Sequence, residues 1–429
     1  MRIIKLTNET KNDVLDSLLK RSPHSYKEYE DKVNAILNDV RENRDKAVFA
    51  YTEKFDNFKL TPDNIFVTRD EIEEAYKEID DEFIRVLKCA IDNIREYHEK
   101  QVRTSWFTTK EDGTILGQKF TPLERVGVYV PGGKAAYPSS LLMNVVTAKV
   151  AGVNEVYVTT PCNKEGKINP GTLVAADLAG ATKIIKVGGA QAIAALAYGT
   201  ETIPKVDKIT GPGNIYVALA KKAVFGYVSI DSVAGPSEIL VIADEDANPR
   251  YVAADLLSQA EHDEMASAIL ITTSESLANK VSEEVDKLTK ELSRQAIIEK
   301  SLDNYGYILI ADNMEDAVTA ANDIASEHLE LLVKNPFELM TKIKNAGAIF
   351  LGEYSSEPLG DYYAGPNHIL PTNGTAKFFS PLNVDDFVKK TSIISYSESA
   401  LEKVHKDIEY FAEKEGFTAH AKSIAVRFE

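Results

Sequence analysis

Val126-Gly127-Val128-Tyr129-Val130 is a short apolar, β-branched run, and Pro131-Gly132-Gly133 closes it. A helical pattern follows from about residue 140 to 151. Strand, glycine turn and helix make half of a βαβ unit, and the pattern recurs along the chain. Residues 155–160 read as the next strand, with a turn-rich loop over 161–170. Residues 183–187 read as another, closed by Gly188-Gly189 with a helix from Ala190. Residues 206–210 read as a fourth, closed by Gly211-Pro212-Gly213-Asn214 with a helix from about Tyr216. Such alternation predicts a mostly parallel sheet with helices on its faces.

A second series begins at Ser237. Residues 238–243, 268–272, 307–310 and 346–351 read as strands. Asn248-Pro249 reads as an N-cap with proline at the first helical position, opening a helix that runs past Gln259. Asn313 with Asp316 resembles a capping box. Residues 1–100 carry apolar residues at helical spacing over 26–55 and 69–100, and 103–124 reads as a polar connector. Residues 352–382 are rich in Gly, Pro and Ser without periodicity, the mark of a functional or disordered loop. The expected fold is α/β, with two Rossmann-like parallel-sheet domains, an N-terminal helical segment and a small helical C-terminal tail. The corresponding divisions are 1–125, 126–236, 237–382 and 383–429.

The chain has 429 residues and a formal charge of −17 from 49 basic and 66 acidic residues. That surface repels nucleic acid and anionic membranes, so neither is an expected partner. Two cysteines, Cys89 and Cys162, form no disulfide framework and suit a reducing compartment. No apolar run is long enough to span a bilayer, and the charged N-terminus leaves no room for a signal peptide. A cytoplasmic location is expected.

Glycines at strand ends let a helix N-terminus approach a phosphate. None matches G-x-G-x-x-G, and tight βα turns use glycine anyway, so both readings stay open. Of seven histidines, His24, His98 and His405 lie in charged helical surroundings and are expected at the surface. Gln259 and His262 are i and i+3 on one helix face, a spacing that suits a metal or a solvated helix end. Glu327-His328 puts two bases side by side; on a continuing helix they would point about 100° apart and approach a substrate from different sides. Asp361 and His368 sit on the Gly/Pro-rich loop, where site residues and ordinary exposed residues are both common. Glu415 and His420 lie near the chain end, where a lone histidine usually meets solvent. Zinc accepts N/O donors and, in catalytic sites, keeps a position open, but spacing alone does not join these residues.

Several segments, in order, resemble the histidinol dehydrogenase family over nearly the whole chain. They are Gly127-Val128-Tyr129-Val130-Pro131-Gly132-Gly133, Val187-Gly188-Gly189-Ala190-Gln191-Ala192-Ile193, Gly211-Pro212-Gly213-Asn214 and Ala234-Gly235-Pro236-Ser237-Glu238. They continue with Leu257-Ser258-Gln259-Ala260-Glu261-His262, Ser326-Glu327-His328-Leu329-Glu330, Gly360-Asp361, Gly365-Pro366-Asn367-His368-Ile369-Leu370-Pro371-Thr372 and Gly416-Phe417-Thr418-Ala419-His420. The departures lie in flanks such as Lys134-Ala135-Ala136-Tyr137.

The resemblance implies zinc held by Gln259, His262, Asp361 and His420. It implies NAD contacts at Tyr129, Gln191 and Asn214, and substrate contacts at Ser237, His328, His368 and Glu415 beside the zinc ligands. It implies a homodimer whose C-terminal tail enters the partner's site. The implied reaction oxidises L-histidinol through L-histidinal to L-histidine, reducing two NAD. His328 suits the base for the hydroxyl proton and Glu327 the activation of water. The alternatives are an NAD-dependent zinc dehydrogenase of another amino alcohol, a zinc hydrolase using Glu327 without nucleotide, and a non-catalytic binding protein. A cysteine thiohemiacetal route is disfavoured because Cys162 lies outside every matched segment.

Overall fold

The computed structural model describes residues 1–21, 27–132 and 137–429, so His24 and Gly133 to Ala136 lie outside the described residues. The strands it describes are, in chain order, β1 (Arg2–Lys5), β2 (Trp106–Thr109), β3 (Ile115–Pro122), β4 (Arg125–Tyr129), β5 (Glu155–Thr159), β6 (Lys183–Ile185) and β7 (Lys208–Thr210). They continue with β8 (Ser229–Ile230), β9 (Glu238–Ala243), β10 (Ser267–Thr272), β11 (Gly306–Ile310), β12 (His328–Leu332), β13 (Ala348–Leu351) and β14 (Val388–Ser395). The chain divides into two compact units, one of Met1–Gln101 with Leu123–Phe387, the other of Val102–Pro122 with Val388–Glu429.

The first unit holds two parallel sheets, ordered β6-β5-β4-β7-β8 and β1-β11-β10-β9-β12-β13. In each, the opening strand (β4 or β9) is central. The next two extend one way and the following two the other, the 3-2-1-4-5 order of a doubly wound Rossmann-type sheet. The second sheet adds β1 at its edge, parallel to β11. These are the α/β halves that the alternating pattern predicts.

β9 reads Glu-Ile-Leu-Val-Ile-Ala and is buried throughout, as a strand covered on both faces must be. Its pleat sends Leu240 and Ile242 to one core with Leu329, Val318 and Val14. Ile239 and Val241 go to another, with Val252, Leu256 and Val281. The helix Lys27–Asp56 lays Val33, Leu37, Val40 and Val48 against Ile193 and Leu196 of the first sheet's helices. Asn248 caps the helix Pro249–Ala260 through Arg250 N–H, and Asn313 caps Met314–Ile324 through Asp316 N–H.

Several expectations are corrected. The region 69–100 is two helices, Arg69–Glu78 and Asp81–Glu99. His98 is fully buried rather than at the surface, because it follows Ile91 and Ile94 on the inward face of its helix. The expected polar connector contains β2 and β3. The expected helical tail opens with β14, which pairs antiparallel with β3 from Val388↔Pro122 to Ser395↔Ile115. This β14-β3-β2 sheet, with the helices Glu398–Glu402, His405–Lys414 and Thr418–Ala425, forms the second unit. The 352–382 loop carries one short helix, Glu357–Tyr362, and a 3₁₀ turn at Thr375–Lys377. Among the described residues no helix is long and apolar enough to cross a membrane.

Candidate active site

The helix Met314–Ile324 ends at Ala325, which adopts a left-handed backbone (φ 52°, ψ 56°). Helical spacing therefore stops before Glu327-His328, contrary to the expectation of a continuing helix. His328 opens β12 and lies opposite Ile239 of β9. Both catalytic candidates thus sit at the amino edge of the second sheet, whereas ligands of such sheets ordinarily bind at the carboxyl edge. They are also buried rather than on a charged surface turn.

The backbone of one residue, Glu238, organises the pair through the two peptide units that flank it. The N–H of Glu238 donates to Glu327 Oε2 at 2.9 Å, and the Glu238 carbonyl lies 3.1 Å from His328 Nδ1. A carbonyl only accepts, so Nδ1 carries the proton and Nε2 is the working nitrogen. Nε2 has no hydrogen-bond partner and lies 3.7 Å from Asp361 Oδ1. Glu327 Oε2 lies 3.7 Å from Nδ1. Burial raises the Glu327 carboxyl to about 8, against the pull of His328 and the Glu238 N–H. Burial would lower His328, but Glu327 and Asp361 outweigh it and lift the imidazole to about 10.

The helix Pro249–Ala260 brings Gln259 to the same edge, and His262 follows its C-cap. Gln259 is fully buried, yet neither polar atom of its amide has a protein partner. An amide so placed awaits a ligand, since unpaired buried polar groups are costly. The helix Glu357–Tyr362 supplies Glu357 and Asp361. Ligand atoms of His262, Glu357 and Asp361 all lie within 4.8 Å of one another. Glu357 is buried; its carboxylate accepts from Ser258 Oγ at 2.9 Å and its N–H donates to Glu330 Oε1 at 2.8 Å. Burial and the Asp361 charge raise Glu357 to about 7. Burial opposes ionisation of Asp361, but His328 and His368 hold it down at about 2. His262 is open at the rim, while desolvation of its ring still lowers its pKa. His368 Nδ1 donates to the Asp361 carbonyl at 2.9 Å, and its Nε2 meets Ser140 Oγ at 3.1 Å. Ser140 belongs to the first sheet's helix Pro138–Val150, so this bond joins the two sheets. A cavity of about 300 Å³ is lined by His328, Phe350, Asp361, Pro366, His368 and Leu370.

A base with one free nitrogen at a cavity, a buried carboxyl next to it in sequence and a cluster of N/O donors that shares Asp361 with that cavity suit oxidation of a polar substrate. The histidinol dehydrogenase family model matches residues 19–428. The chain belongs to the histidinol dehydrogenase family. The enzyme of that name from Clostridium acetobutylicum is 56% identical over 428 residues, covering 100% of this chain and 99% of its own. That from Bacillus subtilis is 57% identical over 410 residues, covering 95% and 96%. The crystal structure of histidinol dehydrogenase from Elizabethkingia anophelis matches at a TM-score of 0.94 and 37% identity, over 100% of this chain and 98% of that one.

The remaining residues drawn from the histidinol dehydrogenase resemblance are more dispersed. Tyr129 is buried at the carboxyl end of β4, where its hydroxyl accepts from Gly189 N–H at 3.1 Å. Gln191 is buried in the first turn of the helix Gly189–Tyr198. Asn214 caps the helix Ile215–Val224, accepting from Tyr216 and Val217 N–H. The turn before it needs Gly211 (φ +108°), where a Cβ would collide with the Tyr129 carbonyl. A larger cavity, about 580 Å³, lies near the carboxyl ends of β4 and β5, lined in part by Pro131, Gly132, Pro161 and Cys162. Ser237 precedes β9 beside the Glu238 peptide. Glu415 and His420 are exposed and belong to the second unit; His420 packs on the Phe417 ring at 5.0 Å. The donor cluster His262, Glu357 and Asp361 lies within the first unit.

Sequence reasoning missed Glu357, Glu238 and Ser140. Glu357-Pro358 carried a weak helix-start signal inside the loop.

Proposed function

We propose that this chain oxidises L-histidinol through L-histidinal to L-histidine, passing two hydrides to two NAD. The observation that carries the reading is His328, with Nδ1 held by the Glu238 carbonyl and Nε2 free at a cavity beside Asp361. His328 Nε2 takes the hydroxyl proton as the C–H hydride leaves, giving the aldehyde. Glu327 takes a proton from water as it adds to the aldehyde. His328 then serves the hydrate in the same way, giving the carboxylate and the second reduced nucleotide.

We read Gln259, His262, Asp361 and His420 of the partner subunit as the zinc ligands, in a homodimer with shared sites. The partnerless Gln259 amide and the packing of His262 against Asp361 support that set. Bound zinc supplies a cation that orients the substrate imidazole and amine, and bound NAD supplies the hydride acceptor. A cation bound at Asp361 would offset that carboxylate's charge and so lower the His328 imidazole from its raised value. Ser237, His368 and Glu415 complete the substrate contacts in this reading. The nucleotide side is residues 126–236, with Tyr129, Gln191 and Asn214; helix N-termini and the 580 Å³ cavity at strand carboxyl ends suit a dinucleotide. Residues 237–382 form the zinc and catalytic side. Two free thiols suit a cytoplasmic setting.

The test is purified protein with histidinol and NAD, followed by absorbance of reduced NAD, with and without a chelator. Two reduced NAD per histidine are expected. Absence of NAD reduction in zinc-loaded protein, or reduction with other amino alcohols alone, overturns the reading.

A further inference from the structure

Arg21 is among the most deeply buried large side chains, with 1% of its surface exposed. It lies just beyond the helix Asn8–Leu19. Its guanidinium pairs with the buried Glu238 carboxylate, and Nη1 donates to the Met265 carbonyl at 2.8 Å. Its face lies 5.1 Å from the Tyr305 ring centroid. Carboxylate, carbonyl and ring hold the guanidinium from different sides, a geometry that a single ammonium does not reproduce.

Glu238 is the residue whose N–H binds Glu327 and whose carbonyl holds His328 Nδ1. Its side chain and its peptide therefore belong to one chain of contacts running from Arg21 to both catalytic groups. A buried ion pair is a poor device for stability, because well-packed apolar residues of similar volume often serve as well. What apolar residues lack is direction.

We infer that Arg21 is a positioning residue for the reaction: by anchoring the Glu238 side chain it fixes the backbone on both sides of that residue, whose N–H aligns the Glu327 carboxylate and whose carbonyl aligns the His328 ring. The inference rests on the function proposed above. Arg21 touches neither substrate nor cofactor, and its effect passes wholly through the Glu238 backbone.

The test is Arg21→Met combined with Glu238→Leu, which replaces the pair by apolar side chains. Melting temperature, zinc content, NAD affinity and steady-state rates are measured beside the wild type. The expected result is a fold that survives, with kcat for both oxidations lowered about tenfold to a hundredfold and KM for histidinol changed less than about threefold. Arg21→Lys keeps charge but not the fork, and should fall between the two. A lowered melting temperature with kcat per folded enzyme within about twofold of wild type makes the pair structural only and overturns the inference. If the double variant does not fold, Arg21→Lys decides: wild-type kcat there overturns the inference as well. A wild type that does not oxidise histidinol instead overturns the function on which the inference rests.

Discussion

His328 Nδ1 lies 3.1 Å from the Glu238 carbonyl, and that contact leaves only Nε2 to exchange protons with a substrate. Glu327, the preceding residue, is held by the Glu238 N–H at 2.9 Å, which belongs to the peptide unit before that carbonyl. The two groups are thus fixed separately and should fail separately. His328→Asn should slow alcohol and aldehyde oxidation alike, by about 10²–10⁴-fold. Glu327→Gln should slow aldehyde oxidation much more than alcohol oxidation, since only the second requires added water. Measuring the two half-reactions independently checks this; equal slowing by Glu327→Gln removes the division of duties.

Metal removal should abolish turnover while leaving far-UV circular dichroism unchanged, because the donors sit at a sheet edge and both sheets have cores of their own. Glu357→Gln should weaken zinc binding about 10–100-fold, the usual cost of losing a carboxylate close to the ligands. Competition with a chromogenic chelator reads the affinity directly. Full activity in a verified metal-free sample, or wild-type affinity in the variant, contradicts this placement.

Cys162 should be chemically quiet. Burial pushes its thiol up to about 11, with the Asp56 charge adding to the effect. The thiolate is the nucleophile, so its fraction grows tenfold per pH unit until the pKa is reached. Alkylation of Cys162 by iodoacetamide, followed by peptide mass spectrometry, should still be rising at pH 10. A midpoint at about pH 8.5, with a plateau reached by about pH 10, would show an ordinary thiol and reopen the thiohemiacetal route.

In the proposed zinc site each active site draws on two chains, with His420 of the partner subunit beside Gln259, His262 and Asp361 of the first. Gln259→Ala and His420→Asn should each be inactive alone. Refolded together, about half the dimers are mixed and one site in each mixed dimer is intact, so about a quarter of wild-type activity should return. If His420 serves its own chain, every site carries one defect. Heterodimers without recovered activity would establish that arrangement.

Much of the architecture was legible because its signals are local. The β-branched runs at β4, β5 and β9, the Asn248-Pro249 start and the glycine turns each depend on a few neighbouring residues. β12 was not legible. It follows a helix that ends on Ala325, whose left-handed backbone no glycine announces, and its Glu330 is polar although fully buried. β3 and β14 carry no apolar alternation, since β3 is half-buried along nearly all its length, β14 is largely exposed, and the two join through backbone pairing across distant segments. His98 had the spacing of a core residue, but its charged neighbours obscured it.

The sequence by itself determined the alternating α/β organisation, the residue types able to bind a metal and exchange protons, and the resemblance that joined them. Periodicity, caps and glycine turns are short-range properties, and ordered motifs survive without knowledge of contacts. Tertiary structure alone decided that Glu327 and His328 both hang from the backbone of Glu238, that Glu357 joins His262 and Asp361, and that Arg21 stands behind Glu238. The reason is that each of these depends on where a distant segment closes against β9, and on burial that turns a common carboxylate or guanidinium into one that must find its partner.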